Sequence, residues 1–252
     1  MTGADEVVAA AAARAFARRL AALEEGPIRS RAAARALARA DPAAAAEALA
    51  ALMRSVEGEA RAAMAAVGQA LLDPSAVPYA VRADLYAAAA ERGLAEVTSL
   101  LVAPPPRRSF AGRRDPDPRL AHLTLGHKKA MARARRDPDL LARLAAEGTP
   151  EVVRELLRNP QLTEPFVVRV AARRPCRPET LRCLAEAPRW RTRPAVALAI
   201  ARNPWTEPEV ALKLLALLGA AELADVAGDG TVHPLVREVA GRIARERCGG
   251  KR

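Results

Sequence analysis

Residues 149–168 read Thr149-Pro150-Glu151-Val152-Val153-Arg154-Glu155-Leu156-Leu157-Arg158-Asn159-Pro160-Gln161-Leu162-Thr163-Glu164-Pro165-Phe166-Val167-Val168. A proline follows a polar residue, an apolar segment follows the proline, and the pattern restarts after one short turn. Proline is tolerated in the first turn of a helix because its missing N–H has no partner there. Pro150 and Pro165 therefore read as helix starts. The same signal recurs at Pro138, Pro178, Pro194 and Pro208, giving spacings of 12, 15, 13, 16 and 14 residues. This spacing predicts short helices, each about ten residues long.

Working outward, each segment carries apolar residues at helical spacing. Leu140, Leu141 and Leu144 lead the first, and Val152, Val153, Leu156 and Leu157 the second. Phe166, Val167, Val170 and Ala171 carry the third, followed by Leu181, Leu184 and Ala185. Val196 and Ile200, then Val210, Leu214 and Leu217, complete the series. Helices this short cannot stand alone, but stacked at a regular pitch they share one core. Arg158-Asn159-Pro160 is echoed by Arg202-Asn203-Pro204, and each is followed by Thr-Glu-Pro. The echo spans 43–44 residues, or three helices. Thr206 and Glu209 have capping-box spacing. Pro194–Ala201 is apolar all round and is expected mid-stack, covered on both sides. A last helix over 234–247, with Arg237, Glu238, Arg242, Arg245 and Arg247 on a polar face, is expected to close the stack.

Residues 103–118 hold five prolines and a glycine, which forbids a helix. We assign 104–118 as a linker, 1–103 as an N-terminal helical region and 119–252 as the repeat domain. The expected N-terminal helices are 4–24, 28–40, 42–54, 56–72, 78–92 and 94–102. Asp41-Pro42 supplies an N-cap and a first-turn proline. Ala62, Ala65, Ala66, Gln69 and Ala70 form a face of small side chains that permits close helix contact. A structural or dimer-forming role is expected of this half.

The strings Arg158-Asn159-Pro160 through Thr163-Glu164-Pro165, and Pro208-Glu209-Val210-Ala211-Leu212-Lys213-Leu214-Leu215-Ala216, resemble the leucine-rich repeat variant and HEAT-like families. The resemblance covers roughly 120–247. It implies an all-α solenoid, a superhelix of short helices that binds proteins. The iron–sulfur cluster found beside one such array has no cysteine set here to hold it. HEAT-like folds also serve a family of DNA glycosylases, but no catalytic aspartate in a recognisable setting is present.

Composition agrees with helices: hydrophobic residues are 51% but aromatics only 3%, so the apolar content is mostly Ala, Leu and Val. The Ala/Arg bias is what GC-rich bacterial coding produces. The net charge of +11 is uneven: residues 1–103 hold eleven Arg against twelve acids, and 119–252 hold twenty-five Lys or Arg against fifteen. The second half is therefore expected to attract a protein partner with an acidic surface, or nucleic acid. Cys176, Cys183 and Cys248 lack metal-ligand spacing, and free thiols fit a reducing cytoplasm. The acidic start Met1-Thr2-Gly3-Ala4-Asp5-Glu6 is unlike a signal peptide. No apolar run reaches the roughly 18 residues of a membrane span.

The strongest candidate site is a set of arginines: Arg169, Arg173, Arg174, Arg177, Arg182, Arg189, Arg191, Arg193 and Arg202, interleaved with Trp190 and Trp205. Such a surface suits protein hot spots, or phosphates and stacked bases. Against it stands arginine as an ordinary solvated residue, with tryptophan filling gaps between repeats. Leu123-Thr124-Leu125-Gly126-His127-Lys128-Lys129 lacks the phosphate-loop pattern and reads as a helix start. His122 and His127 do not share a helix face, and His233 neighbours an N-cap. Gly228-Asp229-Gly230-Thr231 is a tight turn, not a calcium loop. No hydrolase, zincin or dinucleotide fingerprint occurs. The expectation is a non-enzymatic interaction scaffold without cofactor or metal, with nucleic-acid binding as the alternative and a glycosylase-like enzyme a distant third.

Overall fold

The proline spacing sets the architecture. In the computed structural model, which describes residues 3–24, 26–110 and 117–249, every element is helical. The N-terminal half holds α1 (Gly3–Ala21), α2 (Pro27–Arg39), α3 (Pro42–Arg54), α4 (Gly58–Leu72), α5 (Tyr79–Glu91) and α6 (Ala95–Leu100). The second half holds α7 (Leu125–Ala134), α8 (Pro138–Glu147), α9 (Pro150–Leu157), α10 (Glu164–Ala171) and α11 (Pro178–Glu186). It continues with α12 (Pro194–Ala201), α13 (Pro208–Leu215), α14 (Ala220–Gly228) and α15 (Pro234–Gly249). All six expected prolines stand in the first turn of a helix. Asp41 accepts the Ala44 N–H at 2.9 Å as the N-cap of α3, and Thr124 accepts that of His127 to open α7.

The second half is a two-layered stack. Helices α7, α9, α11, α13 and α15 touch in succession and form one layer, while α8, α10, α12 and α14 form the other. The structural period is therefore two helices, and the three-helix echo falls on opposite layers. What the echo marks is a local device. Asn159, just past α9, donates to the Ala132 and Arg135 carbonyls at the end of α7, at 2.9 and 2.8 Å. Asn203, just past α12, donates to the Ala171 and Arg173 carbonyls at the end of α10, at 2.7 and 2.9 Å. Each asparagine satisfies carbonyls that a helix C-terminus leaves without internal partners. Asn159→Ala and Asn203→Ala are each expected to lower stability by roughly 1–3 kcal/mol, because buried acceptors lose their donors. The shift in urea midpoint measures it.

Several expectations change. Thr206 is not an N-cap: its buried hydroxyl donates to the Ile200 carbonyl at 2.6 Å. Glu209 turns instead to Lys213 and Arg182, and Glu207 precedes α13 with no side-chain cap. Helix α12 is not covered on both sides, since Pro194 and Ala195 are exposed. The enclosed helix is α13, where residues 210–218, through the turn that follows it, are all buried. Its leucines each contribute roughly 1.5–3 kcal/mol relative to exposure.

The reason lies in the N-terminal half. Helices α1, α3 and α5 form a row, with α2 and α4 packed beside it. Then α4 and α6 lie on α13, and α3 and α6 lie on α15. The stack is thus covered at its C-terminal end, and one hydrophobic core runs through both halves. Helix α15 closes the stack with Glu238 and Arg245 exposed, but its other side is covered by α3 and α6. Arg247, expected on its polar face, is only 5% exposed. It donates to the Met53 carbonyl at the end of α3, at 2.7 Å from Nη2, and to the Ala216 and Leu218 carbonyls after α13. Beside it Arg54 reaches buried Glu96 at 2.6 Å and Glu246 at 3.2 Å. At the other end, among the described residues, α7 buries Ala132 alone.

Residues 103–110 do not span open solvent. Arg108 donates its N–H to the Pro204 carbonyl at 3.2 Å, and its guanidinium lies 5.7 Å from the Trp205 ring centre. Phe110 lies under Arg177, at 5.3 Å. Burial, with Arg107 nearby, holds the His233 pKa below its usual value. The segment thus runs as a strap past the ends of α14, α12 and α10, opposite in direction to the stack. Arg113 and Arg114 of the same stretch lie outside the described residues.

Candidate interaction face

Helix C-termini decide what most of the arginine set does. Trp190 is 2% exposed, and its indole N–H donates to the Leu157 carbonyl at 3.0 Å. Arg191 is 5% exposed and reaches Gln69 on α4 at 3.2 Å. Neither can line a surface, which corrects the expectation for both. Their neighbour Arg189 stacks on Trp190 at 4.4 Å and donates to the Asn159 and Leu162 carbonyls at 3.1 and 3.0 Å. These three residues continue the rung that Asn159 begins, tying α11 to α9 and then to α4.

The other layer repeats the scheme. Arg174, past α10, donates to the Arg202 carbonyl at 2.7 Å. Arg202, past α12, pairs with Asp229 at 3.1 Å. Burial opposes ionisation of Asp229, but the hydrogen bonds from Thr231 and Arg202 prevail and hold its carboxyl below the usual range. Arg182 is neutralised by Glu207 at 2.8 Å and Glu209 at 3.3 Å. Arg193 has Glu164 at 3.6 Å. Trp205 is half-buried beneath Arg108, and Arg177 is held by Phe110. The arginines of this list that remain exposed are in large part engaged with the stack itself.

Arg169 differs. It is exposed, lies 5.8 Å from the Phe166 ring centre, and has no carboxylate partner among the described residues. It rims a groove of about 380 Å3 between α8 and α10. The floor is Ala142, Ala145, Phe166 and Val170, and Arg173, four residues along α10, completes the rim. The carboxylate on this wall, Asp139, is paired with Arg143 at 2.9 Å. A second groove, about 450 Å3 between α9 and α11, carries Arg154, Arg158 and Arg189 but also Glu186. Burial raises the Glu186 carboxyl above the usual range, despite Arg182 and Arg154.

Sequence reading missed the α8–α10 groove because Phe166 reads as core, and the i,i+4 pair Arg169/Arg173 was its one visible sign. It also missed Glu207 and Glu209 as partners of Arg182. Among the described residues no cluster of metal-ligating side chains occurs, and no helix is long and apolar enough to cross a membrane. No protein-family model, curated protein or solved structure matches this chain.

Proposed function

We propose that this chain is a non-enzymatic interaction scaffold whose α8–α10 groove takes an acidic, partly apolar segment of a partner protein. The observation that carries the reading is Arg169, an exposed guanidinium stacked on Phe166 at the edge of an apolar floor. Arginine beside an aromatic ring is the pairing that dominates binding hot spots. Resemblance to HEAT-like and leucine-rich repeat variant arrays, whose members bind proteins, points the same way. A cytoplasmic setting suits the buried free thiols of Cys176 and Cys183.

The alternative is nucleic acid. It is favoured by Arg133, Arg135 and Arg136, which are exposed together at the C-terminal end of α7. Affinity capture with Arg169→Glu/Arg173→Glu against the unaltered chain tests the first reading. Captured partners are expected to weaken at least about tenfold, or ~1.4 kcal/mol. Capture unchanged by the reversal overturns the assignment of this groove. Arg177 is left out of the variant because it holds the strap. Titration with generic duplex DNA tests the alternative: affinity falling with salt at a slope near −0.9 per phosphate contact would move the reading to nucleic acid.

A further inference from the structure

A different groove, independent of the one just described, opens in the N-terminal half between α1, α2 and α3. It has a volume of about 590 Å3, and its floor is apolar: Phe16, Ala36, Ala45 and Leu49. Three arginines stand on its banks, Arg19 on α1 and Arg35 and Arg39 on α2. All three are exposed, and no carboxylate lines the groove among the described residues. Arg35 and Arg39 are four apart, so they share one helix face. Positive charge therefore flanks an apolar channel on both sides.

The channel is also long. Val8 is 68% exposed, and it continues the line of Ala12 and Phe16 at i, i+4 and i+8. From Val8 to Arg19 the wall runs eleven residues, roughly 16 Å at the rise of a helix. Alanine on the floor lets a backbone approach closely, and the upper residues Ala12, Ala40 and Ala44 are open to solvent. An enclosed small-molecule site would bury these side chains.

We propose that this groove docks an amphipathic helix of a partner protein, with its apolar stripe on the alanine floor and acidic residues on its flanks toward Arg19, Arg35 and Arg39. Helix-in-groove recognition needs an apolar trough for residues at i, i+3/i+4 and i+7. The banks then select charge: glutamates on both sides of the stripe meet cations, and lysines are repelled.

The test uses the full chain and two labelled helical peptides of about four turns. Both carry the same leucine stripe, one flanked by glutamates and the other by lysines. Fluorescence anisotropy should show the acidic peptide binding with a Kd of about 10–100 µM and the lysine peptide at least about tenfold weaker. Arg35→Glu/Arg39→Glu should reverse that preference, and Ala12→Glu should abolish binding of the acidic peptide. These positions are exposed, and an unchanged circular dichroism melt confirms that each variant folds. Equal binding of the two peptides overturns the proposal, as does no binding of the acidic peptide by about 1 mM. A dimer in sedimentation velocity that Arg35→Glu/Arg39→Glu dissociates would assign the groove to a second copy instead. Displacement of the acidic peptide by palmitate would assign it to an acyl ligand.

Discussion

Arg247→Met should lower the stability of the folded chain by roughly 3–5 kcal/mol, because it leaves several buried carbonyls without a donor. The guanidinium has no carboxylate partner among the described residues. It is held by the Met53, Ala216 and Leu218 carbonyls, at the C-terminal ends of α3 and α13. Helix C-termini carry partial negative charge, so two of them stand in for an anion. Burial, with Arg61 nearby, still pushes the Arg247 pKa down to about 10. Methionine fills much of the volume but leaves three buried acceptors without a donor, and each is worth roughly 1–3 kcal/mol. Urea unfolding followed by circular dichroism measures the loss. A change below about 1 kcal/mol would mean that water reaches these carbonyls and that the seam between the halves does not depend on this residue.

Lys213→Met should act in the opposite direction and raise stability near neutral pH by about 1–3 kcal/mol. Lys213 is 3% exposed on α13, and Gly68 of α4 lies against it so closely that an added Cβ would meet the Lys213 Cβ at 3.2 Å. Burial pushes its pKa from 10.5 down to about 8; the Glu209 carboxylate at 2.8 Å opposes the shift, and Arg82 and Arg182 add to it. The proton is held more weakly in the folded chain than in the unfolded one. Folding is therefore penalised while Lys213 is charged, fully below pH 8, and the penalty fades as pH rises toward 10.5. The gain shown by Lys213→Met should shrink across that window and then level off. Glu209 keeps Arg182 at 3.3 Å in the variant, so no carboxylate is stranded. Guanidinium unfolding at a series of pH values tests this. A variant less stable than the parent at pH 7 would show that the Glu209 pair outweighs the desolvation of the ammonium.

The stack was legible because proline acts through its own ring, without reference to anything distant. Pro138, Pro150, Pro165, Pro178, Pro194 and Pro208 announce their helices from local covalent geometry. The roles of the arginines were not legible, because an arginine beside a helix end looks the same whether it meets solvent or a carbonyl of the preceding layer. Arg174 and Arg202 differ from Arg169 only in what the fold brings opposite them. The Arg-Asn-Pro echo did carry a signal, but for the asparagine rather than the arginine. Asn159 and Asn203 are buried in the two layers, doing the same job. The covering of α13 was hidden for a related reason. A helix apolar on every face declares that it will be enclosed, but α12 showed that pattern more strongly than α13, where Lys213 interrupts it.

The seam between the halves also sets a timetable for biosynthesis. Arg247 meets Met53 across 194 residues, and Arg54 meets Glu246 across 192. At ribosomal rates of about 5–20 residues per second, roughly 10–40 s pass between the emergence of α3 and that of its partner on α15. For most of that interval the nascent N-terminal half has no α13, and for all of it no complete α15, to cover the faces of α3, α4 and α6. The chain is thus built so that its earliest helices wait for its latest.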